Sequence, residues 1–305
     1  MEAAGAVGAL RSVIERKDRD MSEHPSSPAG HRLAHVIGRF LTYLAVSLGA
    51  VLMVVPFLWM ASTAFKGGSA FDYPPTWIPD PISLDNFREV WTIVPFDRYL
   101  FNSLFVAVCV TFGEVLTSSL AAYAFARLRF PGRDAMFLMY LATLMIPGQV
   151  TIIPNFILMR YLGWINTYEG LIIPTAFTAF GTFLLRQYFL SIPRELEEAA
   201  RVDGASYFQV WSRIIIPLAS PAIATLAVFS FMGAWNSFLW PFIMVNTSDM
   251  RTLTVALRSF QTDYGTEWGL MMAGSLLAML PMLVIFLAAQ RYFVRGIATT
   301  GFGGR

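Results

Sequence analysis

Cysteine, lysine and histidine are the residues this sequence has least of, and each scarcity removes a class of chemistry. Cys109 is the single cysteine in 305 residues, so no intrachain disulfide framework and no cysteine zinc cluster can form. The three histidines, His24, His31 and His35, all fall in the N-terminal tail. No His, Cys or paired acids converge elsewhere as hydrolytic chemistry or a metal would require. No catalytic residue, metal or cofactor is therefore expected. A phosphate-binding loop needs Gly-x4-Gly-Lys-Ser/Thr, whose lysine and backbone amides hold the phosphates. The only lysines are Lys17 and Lys66, and neither sits in such a loop. Charge is scarce too, with 14% of residues Asp, Glu, Lys or Arg and a net charge of +2. That is too little for a nucleic-acid footprint.

What the chain has instead is apolar length. Hydrophobic residues make up 56% of it and the mean hydropathy is +0.55, against about 45–50% apolar in soluble domains. A spanning helix needs about 20 mainly apolar residues. Six stretches qualify: Phe40–Phe65, Tyr99–Ala126, Ala135–Met159, Leu171–Leu190, Leu218–Val245 and Gly269–Phe293. Nothing alternates like a lipid-facing barrel strand. The expectation is an all-α, polytopic membrane protein of about six transmembrane helices, surrounded by lipid. Residues 1–35 read as a polar tail, with one short helix before Asp20, and residues 36–305 as the membrane domain. The run Ala3–Leu10 is too short to span and has no basic region before it, so it makes a poor signal peptide.

Basic residues orient the bundle, because cytoplasmic segments collect Lys and Arg. The tail, loop 127–134, segment 186–217 and the C-terminus hold 16 of the 22; the alternate segments hold 6. Both termini are thus expected in the cytoplasm, in a multi-pass protein of the cell membrane. The outer loop 66–98 combines Pro74, Pro75, Pro79, Pro81 and Pro95 with Phe71, Tyr73, Trp77 and Trp91. It reads as a rigid connector with an interfacial aromatic belt or as a docking surface for an outside partner.

The most informative stretch is Ser191–Pro221, which reads as helix, turn, helix. Pro193 suits a first helical turn, and Glu195, Glu197 and Glu198 complement the positive end of the helix dipole. Asp203-Gly204 stops this helix, since glycine accepts a left-handed cap. Ser206 and Gln209 have capping-box spacing for a second helix. Pro217 and Pro221 turn the chain back. Such a segment is a connector or a rigid projecting knob. Ala199, Ala200 and Ala205 are small enough for another surface to approach closely, and Glu198 offers a charge beside them.

Glu198-Ala199-Ala200, Gly204, Ile214 and Pro217 resemble the EAA loop of binding-protein-dependent ABC importer permeases: Glu-Ala-Ala, three residues, Gly, nine residues, Ile, one residue, Leu-Pro. Ile216 stands where Leu is usual. The segments 121–133 (AAYAFARLRFPGR), Met145-Ile146-Pro147, 162–167 (LGWINT), 180–189 (FGTFLLRQYF), 234–242 (AWNSFLWPF) and 290–296 (QRYFVRG) are similar to the carbohydrate branch, in particular its smaller maltose-transporter permease. The resemblance covers about residues 37–305. It implies the type I importer fold, a second permease subunit, two cytoplasmic ATPase subunits and an extracytoplasmic solute-binding protein. It also implies ATPase coupling through Glu198, Ala199, Ala200, Asp203, Gly204, Ala205, Ile214 and Pro217, and transport of a carbohydrate, polyol or glycerol phosphate.

Within the spans, Glu114 is a costly residue in lipid and should face the bundle interior, as a solute contact or as a helix-to-helix hydrogen bond. Trp235 and Asn236 suit a sugar, ring on C–H faces and amide on hydroxyls, but suit helix packing equally. Pro147, Pro154 and Pro281 should kink their helices. An ion-gradient-driven secondary transporter is the alternative reading. It would show internal repeats and several buried ionisable groups, and only Glu114 is a clear candidate. A membrane enzyme is a weaker rival for want of converging catalytic groups.

Topology gives the first prediction. In a Cys109→Ser background, cysteines placed at Ser206 and Ser69 should react with impermeant reagents from opposite faces of the membrane. Labelling of both from outside would sink the six-span topology.

Overall fold

The computed structural model describes residues 28–67, 76–262 and 265–300. The chain divides into two units, residues 1–59 and 60–305. Most of one helix, α1 (Pro28–Ala64), represents the first. Proline at its first position forfeits nothing, because the opening N–H groups of a helix have no partner within it. The helix thus starts inside the stretch expected as a polar tail. His31, Arg32, His35 and Arg39 are too polar to count toward a span, yet are compatible with helix. The rest of the expected tail, residues 1–27, lies outside the described residues.

In the second unit, α2 (Asp85–Ile93) precedes the long α3 (Phe96–Arg127). Then come α4 (Arg133–Ala142), α5 (Gly148–Tyr161), α6 (Tyr168–Ile172), α7 (Ala179–Ser191), α8 (Glu195–Val202) and α9 (Tyr207–Leu218). The chain ends through α10 (Ser220–Trp235), α11 (Leu239–Met244), α12 (Leu253–Leu257) and α13 (Trp268–Thr300). Strand among the described residues is limited to an antiparallel pair, β1 (Gln261–Thr262) and β2 (Gly265–Thr266). Six candidate spans result. All of α3 and parts of α1 and α13 are long and apolar enough alone; three more are bent pairs, 133–145 with 148–161 at 98°, 168–175 with 179–191 at 44°, and 207–218 with 220–235 at 81°. The all-α membrane fold expected from composition is what the chain adopts.

The bends have local causes. Pro147 follows Ile146, whose ψ of 114° is extended, as the residue before proline prefers. The result is a break rather than a kink. Pro154 and Pro281 stay inside α5 and α13. The fifth span, expected as continuous over Leu218–Val245, stops after Trp235. Pro241 has no N–H to offer the carbonyl of Ser237 four residues back, and the Thr254 hydroxyl donates to that carbonyl instead, at 2.7 Å.

Helix α3 is the centre of the second unit, with α7 and α10 packed along it. One apolar cluster joins Ala64, Val90, Phe96, Trp235, Leu253 and Leu270; another joins Ala122, Leu185, Phe189, Val210, Ile215 and Leu226. The expected outer connector contains α2, an amphipathic helix that the proline-rich reading missed. Asn86 of α2 donates to the carbonyls of Ala64 and Lys66 at 3.0 and 2.9 Å, satisfying the end of α1. Residues 68–75 of that connector, Phe71 and Tyr73 included, lie outside the described residues.

Gly181 shows how tightly α3, α7 and α10 meet. A Cβ there would lie 2.6 Å from Ser118 Oγ, 2.8 Å from Thr178 Cγ2 and 3.1 Å from Leu226 Cδ1. Gly181→Val should therefore destabilise the fold by about 1–3 kcal/mol through overpacking. A lowered thermal midpoint of the detergent-solubilised protein would register it. An unchanged midpoint would mean that these helices separate freely.

Candidate functional site

The Glu198 segment is a helix-turn-helix knob built by two opposed caps. Helix α8 ends in a Schellman motif: Gly204 N–H donates to Arg201 O at 3.0 Å, Ala205 N–H to Ala200 O at 2.9 Å. Gly204 has φ +88°, a conformation that is open to glycine and strained for residues with a Cβ. Helix α9 opens with the full capping box, Gln209 N–H to Ser206 Oγ at 3.3 Å and Ser206 N–H to Gln209 Oε1 at 2.8 Å. Pro193 stands before α8 rather than in its first turn. The middle of α9, Trp211–Ile215, is wound as π-helix and carries Ile214, which is half-buried. Pro217 is exposed, just before the 81° bend into α10.

Glu198, Ala199 and Asp203 are exposed on this knob. Ala200 and Ala205 are half-buried against the Ala122–Leu226 cluster, so their small size serves close approach of the knob to its own body. The exposed face has apolar members that the sequence reading did not single out: Leu196, Val202 at 88% exposure, Tyr207 and Phe208. Arg201 lies over the Tyr207 ring, 4.3 Å from its centroid.

The buried face of α8 is anchored by a charge. Glu197 is the one buried residue of that helix. Its carboxylate lies 2.5 Å from Arg127 Nε, both side chains being nearly sealed from solvent at 11% and 4% exposure. Arg127 Nη2 also donates to the carbonyls of Phe189 and Ile192, both at 2.6 Å. One guanidinium thus joins the end of α3, the end of α7 and the underside of α8. Burial pushes the Glu197 carboxyl up from its ordinary range, and Arg127, then Arg194, oppose that shift. The signal was present in the sequence, since Glu197 precedes the Glu-Ala-Ala triplet and Arg127 lies in the matching segment 121–133. Only the fold brings the two together. A polar hollow of about 290 Å³ adjoins the pair, lined also by Arg194, Glu198 and Arg201.

A second cavity, about 310 Å³, opens between α3, α6, α7, α10 and α11, with Glu114 in its wall. Ser230 Oγ donates to Glu114 Oε2 at 2.6 Å. The helix-to-helix hydrogen bond expected as one alternative is present, and the carboxyl also lines the cavity. Trp235 is not in this wall. It is buried, stacks on Phe231 with centroids 5.7 Å apart, and donates Nε1–H to Ala278 O at 3.2 Å. The packing reading is the one its geometry favours. Asn236 is exposed at the end of α10 and is also absent from the cavity lining.

Residues 114–299 match the family described as the binding-protein-dependent transport system inner membrane component. The chain belongs to this family. It is 37% identical over 262 residues to the sn-glycerol-3-phosphate transport system permease protein UgpE of Pectobacterium atrosepticum, covering 83% of this chain and 93% of that one. It is 35% identical over 227 residues to the arabinooligosaccharides transport system permease protein AraQ of Halalkalibacterium halodurans, covering 74% of this chain and 81% of that one. Among solved structures, a bacterial ABC transporter involved in import of the acidic polysaccharide alginate has a chain that superposes with a TM-score of 0.75, at 23% identity, over 88% of this chain and 99% of that one. The fold is that of type I ABC importer permeases, and the chain is a membrane-embedded permease subunit rather than an enzyme.

The Arg127 joint makes a stability prediction. Arg127→Ala leaves the buried Glu197 carboxylate and the Ile192 carbonyl without their donor, while the Phe189 carbonyl keeps the Ile192 N–H. Its expected cost is about 3–5 kcal/mol, the range for breaking one side of a buried ion pair. Glu197→Gln, which keeps shape and a hydrogen-bonding oxygen, should cost less. Thermal unfolding of the detergent-solubilised protein distinguishes them; a wild-type midpoint for Arg127→Ala would show that the joint carries no stability.

Proposed function

We propose that this chain is one of two permease subunits in an ATP-driven importer for a carbohydrate or a related polyol or glycerol phosphate. In this reading it forms half of the translocation pathway and meets an ATPase through its Glu198 knob. Two ATPase subunits dock on the cytoplasmic side, where both termini also lie, and an extracytoplasmic solute-binding protein docks on the opposite side. The solute class follows from what UgpE and AraQ are named for. The orientation follows from the distribution of Lys and Arg. Family membership favours ATP-driven import over the ion-gradient alternative.

The observation that carries the coupling reading is the knob's construction. It is capped at both turns and anchored from beneath by Glu197, and it presents Glu198 beside the exposed Leu196, Val202 and Phe208. An exposed apolar rim around a charge suits a protein interface, because apolar anchors supply burial and the charge supplies register. A flexible connector would need none of these devices. The coupling set is then Glu198, Ala199, Asp203 and Gly204 at the contact, with Ala200, Ala205, Ile214 and Pro217 holding the knob in shape.

Glu198→Arg tests the interface. An exposed ion pair is worth about 0–1 kcal/mol, whereas truncating a desolvated interfacial pair costs about 2–5 kcal/mol. Burial beneath an ATPase selects the second case. Glu198→Arg should therefore weaken co-purification of the ATPase or uncouple hydrolysis from uptake while membrane insertion stays normal. A compensating acidic substitution on the ATPase should restore part of the activity. Gly204→Val should be at least as damaging, since it strains the turn. Full transport by both single variants would reduce the knob to a connector.

A further inference from the structure

We propose that Glu114 is the charge filter of this pathway, admitting solutes rich in hydrogen-bond donors and free of negative charge. The proposal rests on reading the 310 Å³ cavity as one wall of the solute route. The hydrogen-bonding balance of that wall is one-sided. Its donors are already committed: Ser230 to Glu114 at 2.6 Å, Thr175 to the carbonyls of Leu171 and Ile172 at 3.1 and 3.0 Å, and Trp240 Nε1 to Gly170 O at 3.1 Å. Ser237 alone adds a further side-chain hydroxyl to the lining. No Lys, Arg or His is among the lining residues.

An anion needs the opposite environment. Phosphate and carboxylate are bound by cations and N–H groups, and burying either without such partners is heavily penalised. At Glu114 an incoming phosphate would meet acceptor oxygen and hydrocarbon. Ionised, the carboxylate only accepts; protonated, it adds a single neutral O–H donor; in neither state does it supply the positive charge an anion needs. A polyhydroxy solute fits instead, since its hydroxyls donate to Glu114 while its C–H faces lie on the apolar wall formed by side chains such as Phe180 and Leu226. The two relatives named above diverge on this point, one being named for a phosphate ester and the other for neutral oligosaccharides. The carboxyl at position 114 sides with the neutral class.

The test uses the complete complex in vesicles loaded with ATP, with its solute-binding protein outside. It is offered uncharged oligosaccharides and polyols, and separately sn-glycerol-3-phosphate and an alginate oligosaccharide. The expected result is uptake from the uncharged set alone, falling about tenfold in Glu114→Leu, which removes the acceptor, the scale of one hydrogen bond, with the subunits still co-purifying. Uptake of either anionic solute by the wild type overturns the inference and leaves the transport reading intact. Undiminished uptake of the uncharged solute by Glu114→Leu does the same. If Glu114→Leu fails to assemble, the wild-type comparison still decides. A wild-type complex that retains its subunits and hydrolyses ATP, yet accumulates nothing from either set, overturns the transport reading and the inference with it.

Discussion

A single guanidinium holds together the end of the molecule that carries the knob. Arg127 is the last residue of α3 and makes three connections there: the Glu197 carboxylate at 2.5 Å and the carbonyls of Phe189 and Ile192 at 2.6 Å. A helix C-terminus leaves carbonyls without partners, and arginine presents several donors in a fixed plane. One side chain therefore closes α7 and seats α8. An apolar residue at position 197 would also be buried, but would leave the guanidinium uncompensated. A lysine at 127 would bring one compact charge and no planar fork.

The same demand for satisfied backbone governs the opposite end. The connecting segments there leave main-chain groups without regular partners, and asparagines meet them. Asn86 receives the end of α1. Asn102 donates to the carbonyls of Asp249 and Arg251 at 2.8 and 2.9 Å and accepts from Tyr168 at 2.6 Å. Asn166, at φ +57°, accepts from the N–H groups of Asn246 and Thr247 at 2.6 and 3.0 Å. An amide both donates and accepts, so each of these residues joins two segments that have run out of regular partners.

Local signals were legible in the sequence and long-range ones were not. Apolar length announced the spans. Gly204 announced its left-handed turn, and Ser206 with Gln209 announced the capping box, because each depends on residues a few positions apart. The break after Trp235 was harder. It needs Pro241 to remove a donor and Thr254 to replace it, and 254 is distant from 237 in the chain. Helix α2 was hidden by surrounding prolines that suggested a rigid connector without a helix. Trp235 read equally as solute contact or packing, since either use needs the same residue in an apolar run and only the neighbours decide. Glu197 and Arg127 were each visible as charges near the membrane surface, while their pairing required α8 to fold under the end of α3.

The two halves of the candidate site share a frame, which bears on how one could act on the other. Helix α3 carries Glu114 and, 13 residues on, Arg127; at about 1.5 Å per residue they lie about 20 Å apart along one rigid rod. Helix α10 carries Ser230 and continues from the knob through α9 and the 81° bend. The knob therefore reaches the cavity by two routes: α9 and α10 lead to Ser230, and Glu197, Arg127 and α3 lead to Glu114. The Ser230–Glu114 hydrogen bond joins the ends of both. In the coupling reading, a push that moved only one route would shear that bond, whereas a push on a knob locked to both carries α3 and α10 together. Arg127 reinforces the second route, adding a charged joint to the apolar contact that Ala200 and Ala205 make with the cluster containing Ala122 of α3.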